Sequence, residues 1–499
     1  MPPIEQLDDL ETAKQVAKLL EKENARLHKR LQALLAEIAE LRGEDGKKNY
    51  QLELIRLQEQ LAATQKELYG ASTERRPKGK KGKKAKPKAK PPQGRREQKS
   101  LPIQEVIHRL DEADRACVDC GKSMCEWKDQ SDDTEEIDIV TRTFVLKKHR
   151  RQKYRCTCGT APVTAPGPLR MPGGGLYSLD FAIEVVLGKY WMHLPLERQA
   201  RDMVRQGLEM GSSTLWDQIE KLARVLSPVH DALRLHVVDN PLVHADETRW
   251  RLLKGEGKTW WVWSISRGNA VHYQLHPTRS HNVVVEMLEG FSGVLMVDDY
   301  AGYQAALKLL PNAKIALCWA HVRRRFVDAK DNYPECEQAL ELLGQLFAIE
   351  ADLPNWQVIR DPHLQKKALL QIRQTRRENS LPILIDLLLW AEQQRSLPES
   401  KLHKALQYLV SNWDQLTCFL DEPHAPLSNN AAERTIRGPV VGRKNHYGSK
   451  SKRGTEVAAI FYSLVESAKL AGKDPAAYLR AAAEAMIREQ RVLLPHAMG

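Results

Sequence analysis

Long apolar runs are missing from this chain. The most apolar stretch, Leu381 to Trp390, contains Pro382 and Asp386 and falls far short of the ~20 residues that a membrane span needs. Cysteine is scarce as well: there are eight in 499 residues, and five of them cluster between Cys117 and Cys158. So thin a supply argues against a disulfide scaffold, and the clustering points to one local use. The opening residues, MPPIEQLDDLETAK, are polar and acidic, which is not the pattern of a secretory leader. A soluble, reducing compartment, the cytoplasm, is the expected location.

Acidic charge is what one segment lacks. Lys and Arg number 76 against 64 Asp and Glu, a formal net charge of +12. Residues Arg75 to Lys99 hold 13 basic residues and a single acid, Glu97, so this segment alone carries +12 and the remainder is formally neutral. A localised basic block of this kind points to a polyanionic partner such as nucleic acid. The segment is rich in Lys, Gly and Pro with almost nothing apolar, and is expected to be a disordered linker. Its charge would grip phosphates without reading sequence, and that attraction fades with salt.

The length suits about three domains. Before the linker, Leu20, Asn24, Leu27, Leu31, Leu34, Ile38 and Leu41 follow a 4-3-4-3-4-3 spacing, a heptad seam with Asn24 at an a position. A lone asparagine there favours a parallel dimer, so self-association is expected. A second seam runs from Tyr50 through Leu54, Leu57, Leu61 and Thr64 to Leu68. After the linker, Cys117-x2-Cys120-Gly and Cys156-x-Cys158-Gly resemble the two halves of a structural Zn²⁺ site, with Cys125 or His149 able to replace one member. Between them, the β-branched stretch Ile137 to Leu146 reads as strands of a small finger. Beyond the Gly173-Gly-Gly175 hinge, helices are expected at Phe181 to Trp191, Leu196 to Arg205 and Ser212 to about Val237, the last two separated by a glycine turn. That order suits a DNA-reading helix-turn-helix.

From Pro241 the periodicity becomes that of strands. Leu242 to Asp246, Thr259 to Ser266 and Ala270 to Leu275 are three strands. A helix over Ser280 to Glu289 follows, then a strand at Gly293 to Asp298, a helix at Ala301 to Leu310 and a strand at Lys314 to Cys318; His321 begins another helix. The order β-β-β-α-β-α-β is that of an RNase H-like domain, a three-strand meander extended by two parallel strands. In that topology the first and fourth strands are neighbours, so Asp246 and Asp298, each read as a strand end, converge. Glu247 and Asp299 would point to the opposite side.

A third carboxylate comes late, in SNNAAERTIRGPVVGRKNHY, Ser428 to Tyr447. Ser428, Asn429 and Asn430 are good helix N-caps, and the helix formers after them place Glu433 in or near the first turn. Arg434 and Arg437 follow closely, while Arg443 and Lys444 lie after a short piece read as extended. One carboxylate among four cations suits a site that holds a metal ion and grips phosphates around it. Three carboxylates suit two Mg²⁺ or Mn²⁺ ions, since hard oxygen ligands favour these over zinc.

The motifs HADET, VDDYAGY (Val297 to Tyr303), CWAHVRRRF (Cys318 to Phe326) and NNAAERTIRGPVVGRKN (Asn429 to Asn445) resemble those of the DDE transposases of the insertion sequence 66 family. YGASTER, LPLERQ and SLVESAKLAGKDPAAYL fit as well, so the resemblance spans essentially the whole chain. It implies catalytic metal ligands at Asp246, Asp298 and Glu433, and active-site support from Cys318 and His321. The expected activity is metal-dependent cleavage of insertion-sequence ends and transfer of the 3′-hydroxyl into target DNA, in the bacterial cytoplasm at the nucleoid. Small accessory proteins of the same element are expected partners alongside terminal repeats and target DNA. Two departures stand out: Asp299 occupies a position where many members have glycine, and the second cysteine pair is CxC. A non-catalytic, domesticated DNA-binding protein is the alternative, and a plain RNase H-like nuclease a third reading.

The expected multidomain α/β organisation is then a coiled coil or leucine zipper (1–74), basic linker (75–99), zinc finger (100–172) and helical DNA-binding domain (173–238). The core follows in two parts (239–330 and 423–499, the second with the C-terminal helices), split by a helical insertion (331–422). The insertion follows from the separation of Asp298 and Glu433 by 135 residues (433 − 298). Within it, Ala339 to Ala351, Gln365 to Arg377 and Lys401 to Phe419 are read as helical.

Overall fold

The computed structural model describes residues 143–154, 163–254 and 259–498, together with Ile55. The chain divides into two units, and one of them, Lys66–Thr143, lies outside the described residues except for Thr143. The leucine seams, the basic linker and the cysteines Cys117, Cys120, Cys125, Cys156 and Cys158 also lie outside them. His149 is described and exposed. Of the stretch expected as finger strands, the described end (143–146) forms none. The strands nearby are the short antiparallel pair β1 (Lys153–Tyr154) and β2 (Val163–Thr164).

Three helices follow, close to the expected bounds: α1 (Leu179–Tyr190), α2 (Leu196–Arg205) and α3 (Ser212–Val238). Ser178 caps α1, its hydroxyl accepting from the Phe181 amide. Along α3, Leu215, Ile219, Leu222, Leu226, Val229 and Leu233 recur at three- and four-residue spacings and are buried, the stripe an amphipathic helix turns to a core.

The core of the remaining chain is one five-stranded sheet. Its strands are β3 (Leu242–Arg251), β4 (Thr259–Arg267), β5 (Ala270–His276), β6 (Gly293–Val297) and β7 (Ala313–Leu317), in the order β5-β4-β3-β6-β7. Strands β3, β4 and β5 form an antiparallel meander, and β6 and β7 extend it in parallel. Between them run α4 (His281–Met287) and α5 (Ala301–Leu307). Along β6, Val294 to Val297 are buried and apolar on both faces, as a strand covered on both sides requires, whereas β3 and β4 also bury His244, Ser264 and Ser266.

One difference concerns β3. The sequence places its end at Asp246, whereas the strand continues to Arg251. The reason is its two partners. The parallel pairing with β6 stops at His244–Met296, while the antiparallel pairing with β4 carries on to Arg251–Thr259. Asp246 therefore lies mid-strand, two residues beyond the end of the β6 pairing.

The free edge of β5 is covered by α14 (Lys452–Leu470). The Val271 and Tyr273 amides donate to the Ser467 and Ser463 hydroxyls at 2.9 and 2.8 Å, and Ser467 returns a bond to the Val271 carbonyl. Serines on a buried helix thus occupy groups that an open sheet edge would offer to another strand. The last long helix, α15 (Pro475–Glu489), starts at a capping Asp474.

Between β7 and the late carboxylate stretch the chain is helical. It comprises α6 (Trp319–Ala329), α7 (Cys336–Ala351), α8 (Pro362–Thr375), α9 (Leu381–Gln393), α10 (Lys401–Ser411) and α11 (Trp413–Thr417). The apolar run at Leu381 is therefore itself a helix, with Pro382 in its first turn, directly after the wide turn that precedes it. A five-residue wide turn, Arg376–Ser380, joins α8 to α9. In it Arg376, 2 % exposed, pairs with Glu350 and donates to the carbonyls of Phe419 and Ala425 at 2.9 Å each. One buried guanidinium so fastens this helical stretch to the loop that leads back to the sheet.

Candidate active site

The sheet itself brings the first two carboxylates together. His244 is registered with Met296, so two further residues along each parallel strand reach Asp246 and Asp298. Glu433 arrives on α12 (Asn430–Thr435), and two anchors hold that helix. At its start, Asn429 is 2 % exposed, and its side chain does not cap the helix as the sequence suggests. It reaches instead across to β3: Nδ2 donates to the Ala245 carbonyl at 2.8 Å, and Oδ1 faces His244 Nδ1 at 3.0 Å. Its backbone amide donates to Cys318 Sγ at 3.1 Å. At the other end the Tyr273 hydroxyl donates to the Thr435 carbonyl at 2.7 Å. The helix bearing the third carboxylate is thus bonded to the residue preceding Asp246.

These bonds settle what surrounds His244. Burial pushes its imidazole down to about 4, so the ring is neutral and its Nδ1–H donates to Asn429. Cys318 is buried, and burial raises its thiol above the usual range. Its sulfur serves as acceptor for the segment carrying Glu433. His321 lies beside Glu433, Nε2 to Oε1 at 3.8 Å, with Arg324 at 4.0 Å.

The electrostatics of the carboxylates are unfavourable as they stand. Asp246 is pushed up to about 8, first by burial and then by the charges of Glu247, Asp298 and Glu433; the Glu247 amide, 2.8 Å from Oδ1, opposes this. Burial raises Asp298 too, partly countered by the Tyr300 amide and by Arg279. A buried Asp246 whose proton affinity is raised by the neighbouring acids is a group that a divalent cation would relieve. The donor chemistry therefore fits a hard cation. The ligand set is not pre-assembled, however: among the described residues no three His, Cys, Asp or Glu side chains stand close enough to hold one ion.

Glu247, expected on the opposite side, is engaged by other partners, though its charge still bears on Asp246. Its side chain is 1 % exposed, paired with Arg279 and accepting from the Tyr303 hydroxyl at 2.6 Å. Burial still outweighs both partners and raises its pKa. Asp299 departs from the same expectation. The chain bends after β6, so alternation ends, and Asp299 lines a cleft of about 260 Å³ together with Asp298 and His321.

The cations are spread differently from the sequence reading. The piece read as extended is a helix, α13 (Arg437–His446), because Gly438 and Pro439 fall in its first turn, where proline is tolerated. Arg434, Arg437 and Lys444 are exposed. Arg443 is half-buried and donates to Thr248 Oγ1 and the Arg249 carbonyl, bracing α13 against β3. Sequence reasoning passed over Arg324 and Arg325, which lie on the same face of α6 as His321 by three- and four-residue spacing. It also passed over Tyr408, for which no sequence signal exists.

Residues 174–457 match the sequence model of a family described as "Transposase IS66 family". Relatives in Sinorhizobium fredii are similar over much of the chain. The uncharacterized protein y4jD is 30% identical over 404 residues, 76% of each chain. The uncharacterized protein y4hP is 27% identical over 394 residues, 73% of this chain and 69% of its own.

Proposed function

This chain belongs to the IS66 family of transposases, and from that premise we propose that it is a DDE transposase with an RNase H-like core, acting at the ends of its element. DNA is its partner, as membership of the family implies, and among the described residues no helix is long and apolar enough to cross a membrane. The observation that carries the catalytic reading is the register of β3 and β6, which sets Asp246 level with Asp298, joined to a helix bearing Glu433 that is bonded to β3 at Ala245. A strand-anchored pair with a helix-borne third acid supports the RNase H-like assignment.

In this reading Asp246, Asp298 and Glu433 hold two Mg²⁺ or Mn²⁺ ions. When bound, such ions supply Lewis-acid activation of a water or a 3′-hydroxyl and stabilisation of the leaving oxygen. The residues around them position and shield. Asn429 and Tyr273 fix the helix that carries Glu433, and His321 and Arg324 hold its carboxylate while its charge is otherwise unmet. Arg434, Arg437 and Lys444 offer exposed cations to the DNA backbone, with Arg443 beside them. The helices α1 to α3 are the candidate DNA-reading unit. The leucine seams would pair two chains, the basic linker would add salt-sensitive grip, and Cys117, Cys120, Cys156 and Cys158 would hold a structural Zn²⁺. Accessory proteins of the element complete the proposed set of partners.

The test is strand transfer by the purified protein on labelled DNA carrying the element's end, with Mg²⁺, Mn²⁺ or EDTA. Joined products that require the cation and vanish in Asp246→Asn and Glu433→Gln are expected. Undiminished cleavage in either variant would refute the assignment. End binding without any cleavage, even with the element's other proteins added, would favour a non-catalytic DNA-binding protein.

A further inference from the structure

The cleft beside Asp298 holds a second arrangement that the three carboxylates do not explain. Two arginines sit over two tyrosine rings within it. Arg279 is 3.8 Å above the Tyr300 ring, and Arg325, from α6, is 4.1 Å above the Tyr408 ring, from α10. Tyr408 is 5 % exposed, yet its hydroxyl has no hydrogen-bond partner. Leaving a buried hydroxyl unsatisfied is costly, so a donor kept there without a partner points to a ligand. Arg325 makes no hydrogen bond or ion pair among the described residues, leaving its guanidinium N–H groups open. Arg279 differs, because its Nε and one terminal nitrogen are already engaged by Glu247.

We propose that Arg325 and Tyr408 form a phosphodiester subsite that seats one backbone phosphate of the DNA strand next to the reacting one. The inference rests on the transposase reading and names a contact within it. The chemistry selects phosphate over a base. Stacking a base needs an open aromatic face, and a guanidinium covers each tyrosine here. What remains unpartnered is the exposed planar fork of N–H donors on Arg325 and, beneath it, the buried Tyr408 hydroxyl, the donor set that suits phosphate oxygens. Asp298 and Asp299 line the same cleft and repel an anion, so Arg325 is the charge that would hold the phosphate there. Tyr408 comes from the helical segment between β7 and α12. That segment thus supplies a direct contact to the substrate strand, beyond its role as a spacer between Asp298 and Glu433.

The experiment measures binding by fluorescence anisotropy of the full chain to DNA carrying the element's end, in EDTA. Single methylphosphonates, which remove one phosphate charge, are placed in turn along the strand near the cleaved bond. One position should weaken the wild-type chain by about 10- to 100-fold. Arg325→Gln and Tyr408→Phe should weaken binding to unmodified DNA and lose sensitivity at that position alone. Tyr408→Phe removes only an unpartnered oxygen, so its thermal midpoint should stay at or above wild type, which separates lost contact from lost fold. An unchanged methylphosphonate profile in both variants, with wild-type end binding intact, overturns the subsite and leaves the transposase reading standing. Failure of the wild-type chain to bind the ends overturns both. A rise in thermal midpoint with inorganic phosphate that disappears in Arg325→Gln, with DNA affinity unchanged, would make this a site for a free anion and overturn its role with DNA.

Discussion

Replacing Asn429 with alanine tests whether the third carboxylate is placed by a single buried amide. The substitution removes the bonds to the Ala245 carbonyl and to His244 Nδ1, at 2.8 and 3.0 Å. Both partners stay buried and neither gains access to water. An orphaned buried polar group costs about 1–3 kcal/mol, so the two together cost about 2–6 kcal/mol. Set against a typical folding stability of about 5–15 kcal/mol, the variant remains folded in the cold but unfolds at markedly lower denaturant. The second consequence is local. Glu433 lies four residues on, its amide bonded to the Asn429 carbonyl at 3.2 Å, and the start of its helix loses its side-chain tether to β3. A displacement of about 1 Å at a reacting centre costs on the order of 10²-fold in rate. The assay is end cleavage at low temperature, where circular dichroism shows the variant folded, alongside a denaturant titration. A destabilised variant that cleaves within about twofold of wild type would refute the positioning role. Unchanged stability would refute the buried bonds themselves.

Three further outcomes are expected. Asp246 has a folded pKa of about 8, so the folded state without cation binds more protons than the unfolded chain from about pH 4 to 8, and stability is lost as pH rises through that window. Asp246→Asn, which cannot ionise, should therefore exceed wild type by on the order of 5 kcal/mol at pH 8–9 and by little at pH 4 in EDTA; equal pH profiles in chemical denaturation would contradict this. His244 is depressed to about 4, so its contribution is full at neutral pH and is lost as pH falls from about 6.5 to 4; His244→Gln should flatten part of that acid limb, and an identical limb would show that other groups produce it. Ser467→Ala leaves the Val271 amide and carbonyl without their helix partner, which should cost about 1–3 kcal/mol and bare the β5 edge, read as increased light scattering on mild heating. A variant as stable and as dispersed as wild type would remove α14 as the guard of that edge.

Much of the sheet was legible because its strands are short, apolar and bounded by glycine or charge, and the helices α1 to α3 because their stripes repeat at helical spacing. The register that aligns Asp246 with Asp298 followed from the expected order of strands. Where the reading failed, a partner distant in sequence decided the outcome. β3 outruns Asp246 because β4 keeps pairing with it, and nothing local to DETRWR signals that. The short piece between Arg437 and Arg443 looked extended, yet Gly438 and Pro439 fall in the first turn of α13, where a helix tolerates them. Asn429 illustrates the limit most sharply. Its local preference is to cap the helix that follows, but its side chain instead serves residues 184 and 185 positions away. The cost of leaving His244 and Ala245 unpaired in the core exceeds the gain from one exposed cap, which is about 1 kcal/mol. Local preference was overridden because the buried alternative carries the larger penalty. The same comparison explains Arg376: an arginine in a polar run reads as solvated, yet five donors meeting buried carbonyls and Glu350 make the interior its better place. In this chain, then, the residues hardest to read are those that join the late helical segments to the sheet, and those joints fasten the helix bearing Glu433 to the strand bearing Asp246.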